Sequence, residues 1–186
     1  MRSTPISPVD LGTTLSVWAH PDDETYLPGG VMAAARANRH RVVCVSATSG
    51  EHGADDPTAW PPARLGRVLR WEAAAAMAVL GVTEHRFMGY EDGTLTNHDP
   101  AGVEQIGRLI EEVRPDEEWN MYMSDERPTG VPADRLDIHA QLTGPELDRK
   151  LTALRAMATQ TADLIAMLKL DAYAAQIAEE AFVAAR

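Results

Sequence analysis

The chain has 186 residues, a length that fits one domain with an ordinary buried core. Its 28 acidic and 17 basic residues give a formal net charge of -11, which argues against binding to a nucleic-acid backbone or an anionic membrane. No apolar run approaches the ~20 residues of a membrane span, and the N-terminus lacks the apolar core of a signal peptide. Cys44 is the single cysteine and lies in an apolar run, so we expect a buried structural thiol. The sequence therefore predicts a soluble cytoplasmic protein.

The first 115 residues alternate strand and helix signals. Apolar runs typical of strands occupy three segments: 14–19, 41–47 and 85–88. Apolar residues recur at helical spacing in three further segments: 29–39, 64–80 and 101–113. Gly81 stands where a C-cap glycine belongs, and Pro115 ends the last of these helices. Repeated βα units of this length predict an α/β fold with a parallel sheet and right-handed crossovers.

The alternation breaks after Asp116. Residues 117–123 open with two acids and contain an asparagine, so they make a poor buried strand. Residues 135–142 alternate apolar and polar side chains, which predicts a half-buried strand. Two helices complete the prediction: one from a capping box at residues 143–146 to about Leu168, and an alanine-rich one over residues 170–185.

A histidine and three acids directly follow the first predicted strand, where α/β sheets usually bind ligands. His20 and Asp23 can converge from one turn, and they supply nitrogen and oxygen donors that zinc accepts. Asp22 stays free to act as a general base beside a zinc-activated water, a combination suited to amide hydrolysis. Glu24 is interpreted as a supporting contact or a helix-start residue. Acids before a helix are also typical of caps, and a closed zinc site needs at least a third ligand.

The motif Ala-His-Pro-Asp-Asp-Glu at residues 19–24 resembles the signature of the PIG-L/LmbE-like N-acetylglucosaminyl deacetylases, which include mycothiol-pathway deacetylases and amidases. Further segments agree with this family in order: 48–53 (TSGEHG), 70–72 (RWE), 80–82 (LGV), 89–95 (GYEDGTL), 147–155 (LDRKLTALR) and 158–160 (ATQ). The resemblance covers roughly residues 12–116 and 136–168.

The resemblance implies a Rossmann-like three-layer fold and a zinc-dependent hydrolase that removes an acyl group from a small N-acyl amino-sugar conjugate. It assigns His20 and Asp23 to the zinc ion and Asp22 to the general base. Arg70 and Asp92 match the region that contacts the hydroxyl groups of the sugar.

The chain departs from the family after Asp116, where a Gly-His-Pro-Asp-His-type motif should supply the third zinc ligand. No two of its six histidines lie within ten residues of each other. We interpret this as an internal deletion near residues 116–135 of a single domain, which would expose apolar sheet surface and favour a homo-oligomer. His139 and His52 are the alternatives for the missing ligand. The other three histidines are interpreted as structural or helix-start residues: His40, His85 and His98.

Two functions therefore stay open from the sequence. The first is a zinc-dependent deacetylase or amidase, and the second is a catalytically inactive remnant that serves as a sugar-binding or partner-binding domain. A nucleotide-binding α/β domain is disfavoured, because no Gly-x-Gly-x-x-Gly follows any predicted strand.

Overall fold

The computed structural model describes residues 10–96, 99–116, 132 and 135–183. The strands are β1 (Thr14–Trp18), β2 (Val42–Ser46), β3 (Glu84–Phe87), β4 (Ile138–Gln141) and β5 (Glu179–Phe182). The helices are α1 (Asp23–Tyr26), α2 (Gly29–Ala37), α3 (Pro62–Leu80), α4 (Pro100–Val113), α5 (Gly144–Ala156), α6 (Ala158–Leu168) and α7 (Leu170–Gln176). None of the described helices has the length and apolar composition needed to cross a membrane.

The first three strands form a parallel sheet in the order β1-β2-β3. β2 is completely buried because all its residues except the terminal serine are apolar or cysteine, and it pairs on both edges. Cys44 is fully buried, as the sequence predicts, and burial raises the pKa of its thiol. α3 ends at Gly81, whose φ of 81° is the left-handed C-cap conformation that glycine adopts without strain. The predicted α/β fold with a parallel sheet is confirmed.

Helices cover both faces of this sheet. One core cluster joins β2 to α2, α3 and α5, through buried residues such as Met32, Met77 and Ala153. A second cluster joins the other face of the sheet to α4, through Val43, Val45 and Val113. These layers hold the carboxyl ends of the strands at one edge, where the loops that follow them meet.

The chain returns to β1 after α4. Asp116 N donates to Thr13 O at 3.1 Å, and Thr13 N donates to Asp116 Oδ2 at 2.5 Å. Gly12, at φ 70°, permits this approach, because a Cβ atom there would lie 2.1 Å from the Asp116 carboxylate. The predicted deletion begins at this point, and nearly all of residues 116–135 lie outside the described residues.

The prediction of one continuous helix from residue 144 to Leu168 is wrong. It breaks at Met157, whose ψ of 50° is not helical, and α6 starts at the next residue. The Glu72 carboxylate of α3 accepts hydrogen bonds from Thr159 N at 3.0 Å and Thr159 Oγ1 at 2.6 Å. This tertiary contact supplies an acceptor for a backbone N–H group at the start of α6, which has no partner within the helix. No local sequence signal marks this helix start.

Two further predictions near the C-terminus are corrected. The Thr143 side chain makes no capping hydrogen bond to α5, so the predicted capping box does not form. The alanine-rich helix ends at Gln176, and residues 179–182 form β5 instead. β5 pairs antiparallel with β4, so tertiary pairing overrides the local helix propensity. β4 itself confirms the alternation predicted for residues 135–142, because Ile138 and Ala140 are buried between exposed neighbours.

Candidate active site

The motif that follows β1 folds into a tight turn and a single helical turn, α1. Asp22 is the residue before α1, and its carbonyl oxygen accepts hydrogen bonds from Thr25 N at 2.9 Å and Tyr26 N at 2.8 Å. Its φ of 129° is unusual for a residue other than glycine. Strained backbone of this kind is concentrated at functional sites, so the conformation of Asp22 is consistent with a chemical role.

His20 lies between two carboxylates. Its Nδ1 is 3.6 Å from Asp23 Oδ2, and its Nε2 is 3.1 Å from Asp92 Oδ1. The backbone N–H of His20 also donates to Asp23 Oδ2 at 3.0 Å. The neighbouring Asp23 carboxylate is the main cause that raises the pKa of His20 to about 9; burial opposes this increase, and Asp92 adds to it. The structure thus brings together two sequence-predicted zinc ligands and the more distant Asp92.

The other two acids of the motif are less accessible. Burial and the adjacent Asp23 charge raise the pKa of Asp22 to about 6, so its carboxylate can accept a proton near neutral pH. Glu24 is completely buried, and burial raises the pKa of its carboxyl group to about 7. Its Oε2 accepts a hydrogen bond from Asp22 N at 3.1 Å, so Glu24 supports the turn that holds Asp22.

The loops after β2 and β3 are bonded to each other beside His20. Glu51 Oε1 accepts a hydrogen bond from Asp92 N at 3.1 Å, and Asp92 Oδ2 accepts one from His52 N at 3.1 Å. The His52 side chain lies 3.4 Å from Glu91 Oε1. The two loops meet here because the carboxyl ends of parallel strands share one edge of a sheet.

The remaining candidates lie in other surroundings. The Arg70 guanidinium stacks 3.9 Å over the ring of Phe87 at the end of β3. His139 pairs with Glu179 across the β4–β5 ladder at 2.8 Å, and Ser46 Oγ lies 2.9 Å from His85 Nε2 inside the parallel sheet. His98 falls outside the described residues.

The His20–Asp23 pair fits part of a zinc ligand set. Bonds of about 2.0–2.1 Å in a tetrahedron place two ligand atoms about 3.4 Å apart, close to the 3.6 Å between His20 Nδ1 and Asp23 Oδ2. Within the described residues, no group of three histidine, cysteine, aspartate or glutamate side chains is arranged to hold a metal ion. The described part of the chain therefore offers two donors.

A cavity of about 320 Å³ opens beside Asp22 and Asp23. Its walls are mostly apolar and aromatic: Tyr26, Leu27, Leu154, Leu164 and Tyr173, with Asp22, Asp23, Gln160 and Thr161 completing the lining. The buried hydroxyl of Tyr173 has no hydrogen-bond partner among the described residues. Burial, Tyr26 and Asp22 together raise the pKa of Tyr173 to about 12, so the hydroxyl stays protonated.

Sequence reasoning missed this cavity. Tyr173 and Leu164 are placed by the break at Met157 and by the turn into α7, neither of which the helical pattern indicates. The apolar residues at 164, 165 and 168 look like an ordinary core stripe, and all three do pack against the core cluster that contains Tyr173.

Comparisons with known proteins agree with the order of the motifs. A family model described as PIG-L, GlcNAc-PI de-N-acetylase, matches residues 15–128, more than half of the chain. The chain is 35% identical over 125 residues to a 1D-myo-inositol 2-acetamido-2-deoxy-alpha-D-glucopyranoside deacetylase of Saccharomonospora viridis, a match that covers 55% of this chain and 47% of that protein. A protein of the same name from Streptomyces avermitilis is 46% identical over 81 residues, covering 40% of this chain and 28% of the relative. The chain thus spans less than half the length of these curated relatives.

The fold comparison reaches further along the chain. An N,N'-diacetylchitobiose deacetylase from Pyrococcus horikoshii superposes with a TM-score of 0.74, covering 94% of this chain and 84% of that chain. Sequence identity over this superposition is 18%, so the likeness is one of fold. It agrees with the layered arrangement of the described helices and strands.

Proposed function

This chain belongs to the PIG-L family of GlcNAc-PI de-N-acetylases, and from that membership we propose that it is a zinc-dependent hydrolase that removes the acyl group of an N-acyl amino-sugar conjugate. The observation that carries the proposal is the convergence of His20, Asp22 and Asp23 at the carboxyl end of β1, joined there by Asp92. All four residues lie inside the segment that the family model matches.

The proposed roles follow from the contacts of each side chain. His20 and Asp23 hold the zinc ion, which when bound polarises the amide carbonyl and makes water more acidic. Asp22 is the general base, since the pKa of about 6 leaves it largely ionised yet able to take up a proton at neutral pH. Glu24 fixes the turn through Asp22 N and holds that carboxylate beside the cavity.

The substrate class comes from the relatives. The curated relatives are deacetylases whose named substrate carries a 2-acetamido-2-deoxyglucopyranoside, a small amino-sugar conjugate. Arg70 and Asp92 are the proposed sugar-side contacts, in line with the family resemblance. We place the acyl group of the substrate in the cavity beside Asp22, because Leu164, Leu154 and other apolar side chains line it.

The test combines metal content with activity. Elemental analysis of the wild type should give zinc that His20→Ala loses, and Asp22→Asn should keep the zinc. Hydrolysis of an N-acetylglucosamine conjugate should fall about 10²–10⁴-fold in Asp22→Asn, the usual contribution of a general base. Unchanged hydrolysis in Asp22→Asn would refute its role, and negligible zinc and activity in the wild type would favour the inactive remnant.

Three broader expectations belong to the same proposal. The chain is one deacetylase domain with an internal deletion near residues 116–135, it works in the cytoplasm, and the apolar sheet surface that such a deletion would expose promotes association between copies. Sedimentation of the purified chain tests the last of these, and a monomer that unfolds cooperatively would contradict it.

A further inference from the structure

The loop after β3 places a carboxylate against the imidazole of His20. Asp92 lies 72 residues further along the chain, its side chain is only 11% exposed, and its Oδ1 is 3.1 Å from His20 Nε2. Its Oδ2 accepts the hydrogen bond from His52 N at 3.1 Å. Both carboxylate oxygens of Asp92 therefore make contacts inside the protein.

The position of Asp92 is itself fixed by the loop after β2. One carboxylate oxygen of Glu51 accepts a hydrogen bond from Asp92 N, and the other accepts one from Ser49 N, each at 3.1 Å. The loops after all three parallel strands are thus connected through charged hydrogen bonds. The Asp92 carboxylate is oriented before any ligand arrives.

This contact determines which nitrogen of His20 is available. A neutral imidazole carries hydrogen on one nitrogen and a lone pair on the other. Nε2 is within hydrogen-bond distance of Asp92 Oδ1, at 3.1 Å, whereas Nδ1 is 3.6 Å from Asp23 Oδ2, too far for a hydrogen bond; in the neutral ring the hydrogen therefore stays on Nε2, and the lone pair is left on Nδ1. Nδ1 is the atom that lies 3.6 Å from Asp23 Oδ2, so the free nitrogen faces the other proposed zinc ligand.

We infer that Asp92 is a positioning residue for His20, which holds the Nε2–H tautomer and the ring orientation so that Nδ1 and Asp23 form a prepared pair of zinc ligands. The inference rests on the proposed function, and it gives Asp92 a role in addition to the sugar contact proposed above. Carboxylates that hold metal-binding histidines in this way strengthen metal binding.

Measuring zinc affinity distinguishes the role of Asp92 in positioning His20 from its role in contacting the sugar. A competition titration against a chromophoric chelator should show about 10–100-fold weaker zinc binding in Asp92→Ala, the usual effect of removing such a partner. Asp92→Asn keeps an oxygen that can accept from Nε2–H, so it should lose less. Glu91→Ala is the matched control, because Glu91 is exposed in the same loop and contacts only the His52 side chain among these residues. Equal zinc affinity in the wild type and Asp92→Ala, with a raised KM, would overturn the inference and leave the proposed function intact.

A second measurement requires no metal. The ¹⁵N shifts of labelled histidine, recorded at a pH where the His20 imidazole is neutral, report which ring nitrogen carries the hydrogen. The wild type should show the Nε2–H form, and Asp92→Ala should shift the population toward Nδ1–H. A wild type in the Nδ1–H form would overturn the inference. If the wild type binds no zinc, the proposed function fails, and the tautomer still decides the role of Asp92.

Discussion

Replacing Glu180 with glutamine tests how β5 is held to the rest of the fold. Glu180 Oε1 accepts a hydrogen bond from Gly30 N at 2.6 Å, and Oε2 accepts one from Val31 N at 2.7 Å. Lys150 Nζ lies 2.7 Å from Oε1, and the two charged side chains are 1% and 0% exposed. The Glu180 carboxylate therefore accepts hydrogen bonds from two backbone N–H groups at the start of α2, and it neutralises a buried lysine of α5.

Glutamine keeps the size of the side chain but removes its charge. It turns one acceptor into a donor that faces a backbone N–H group, and it leaves Lys150 as an unpaired buried charge. Removing one partner of a buried pair costs about 3–5 kcal/mol. In a domain of this size, about 1 kcal/mol shifts Tm by roughly 2–4 °C, so we expect Tm to fall by on the order of 10 °C.

Urea unfolding followed by tryptophan fluorescence, together with thermal melting, measures this change. Glu179→Gln is the matched control, since the adjacent carboxylate contacts His139 on the exposed side of the same strand and should change stability by less than about 0.5 kcal/mol. The double variant Lys150→Met/Glu180→Gln should recover part of the loss, because it removes the unpaired charge. A Glu180→Gln protein within about 1 kcal/mol of the wild type would refute the reasoning.

Three other substitutions give separate tests. Tyr173→Phe should raise the free energy of unfolding by about 1 kcal/mol, because it removes a buried hydroxyl without a partner among the described residues. Tyr26→Phe is the control, since Tyr26 is exposed. An equal change in stability in both variants would contradict the prediction. Burial and the Arg70 charge lower the pKa of His85 in the folded protein to about 4. As the pH falls, the unfolded chain therefore takes up a proton on this histidine at a higher pH than the folded protein does. The contribution of His85 to stability should therefore fall between pH 6.5 and 4, by at most about 3 kcal/mol, opposite in sign to the contributions of Asp22 and Glu24, whose raised pKa values favour the folded state on acidification. In urea titrations the stability difference between His85→Gln and the wild type should change by this amount over that pH range, whereas a difference that does not vary with pH would exclude the effect of the histidine. Leu164→Trp narrows the cavity, so a longer acyl group should fit less well. The ratio of kcat/KM for N-hexanoylglucosamine to kcat/KM for N-acetylglucosamine should fall about tenfold. An unchanged ratio would place the acyl group elsewhere.

Local patterns in the sequence predicted the parts of the fold that local interactions determine. The apolar run of β2, the helical stripe of α3 and the left-handed Gly81 each appear where the sequence indicates them. These features depend on residues that are neighbours in the chain, or on the requirement that a strand between two helical layers be apolar on both faces.

The errors come from contacts between distant residues. The break at Met157 is stabilised by Glu72, which is 87 residues from the Thr159 groups that it binds. β5 replaces a predicted helix because β4 offers a partner and Lys150 offers a buried charge for Glu180. No periodicity within residues 144–185 carries this information.

The candidate site shows the same division. His20, Asp22 and Asp23 lie in one short motif, so the sequence identifies them together with their chemistry. Asp92 could be assigned only by resemblance, as a sugar contact, whereas the structure places its carboxylate 3.1 Å from His20 Nε2. That contact depends on the register of β1, β2 and β3, which brings three loops to one edge.

The bonds from Glu180 to the start of α2 have a consequence for the nascent chain. The carboxylate is 150 residues beyond Gly30, so translation delivers α2 well before the group that completes its first turn. Contacts of such sequence separation form late, since a long loop must close first. The first turn of α2 therefore reaches its final form only after the chain has been synthesised past residue 180.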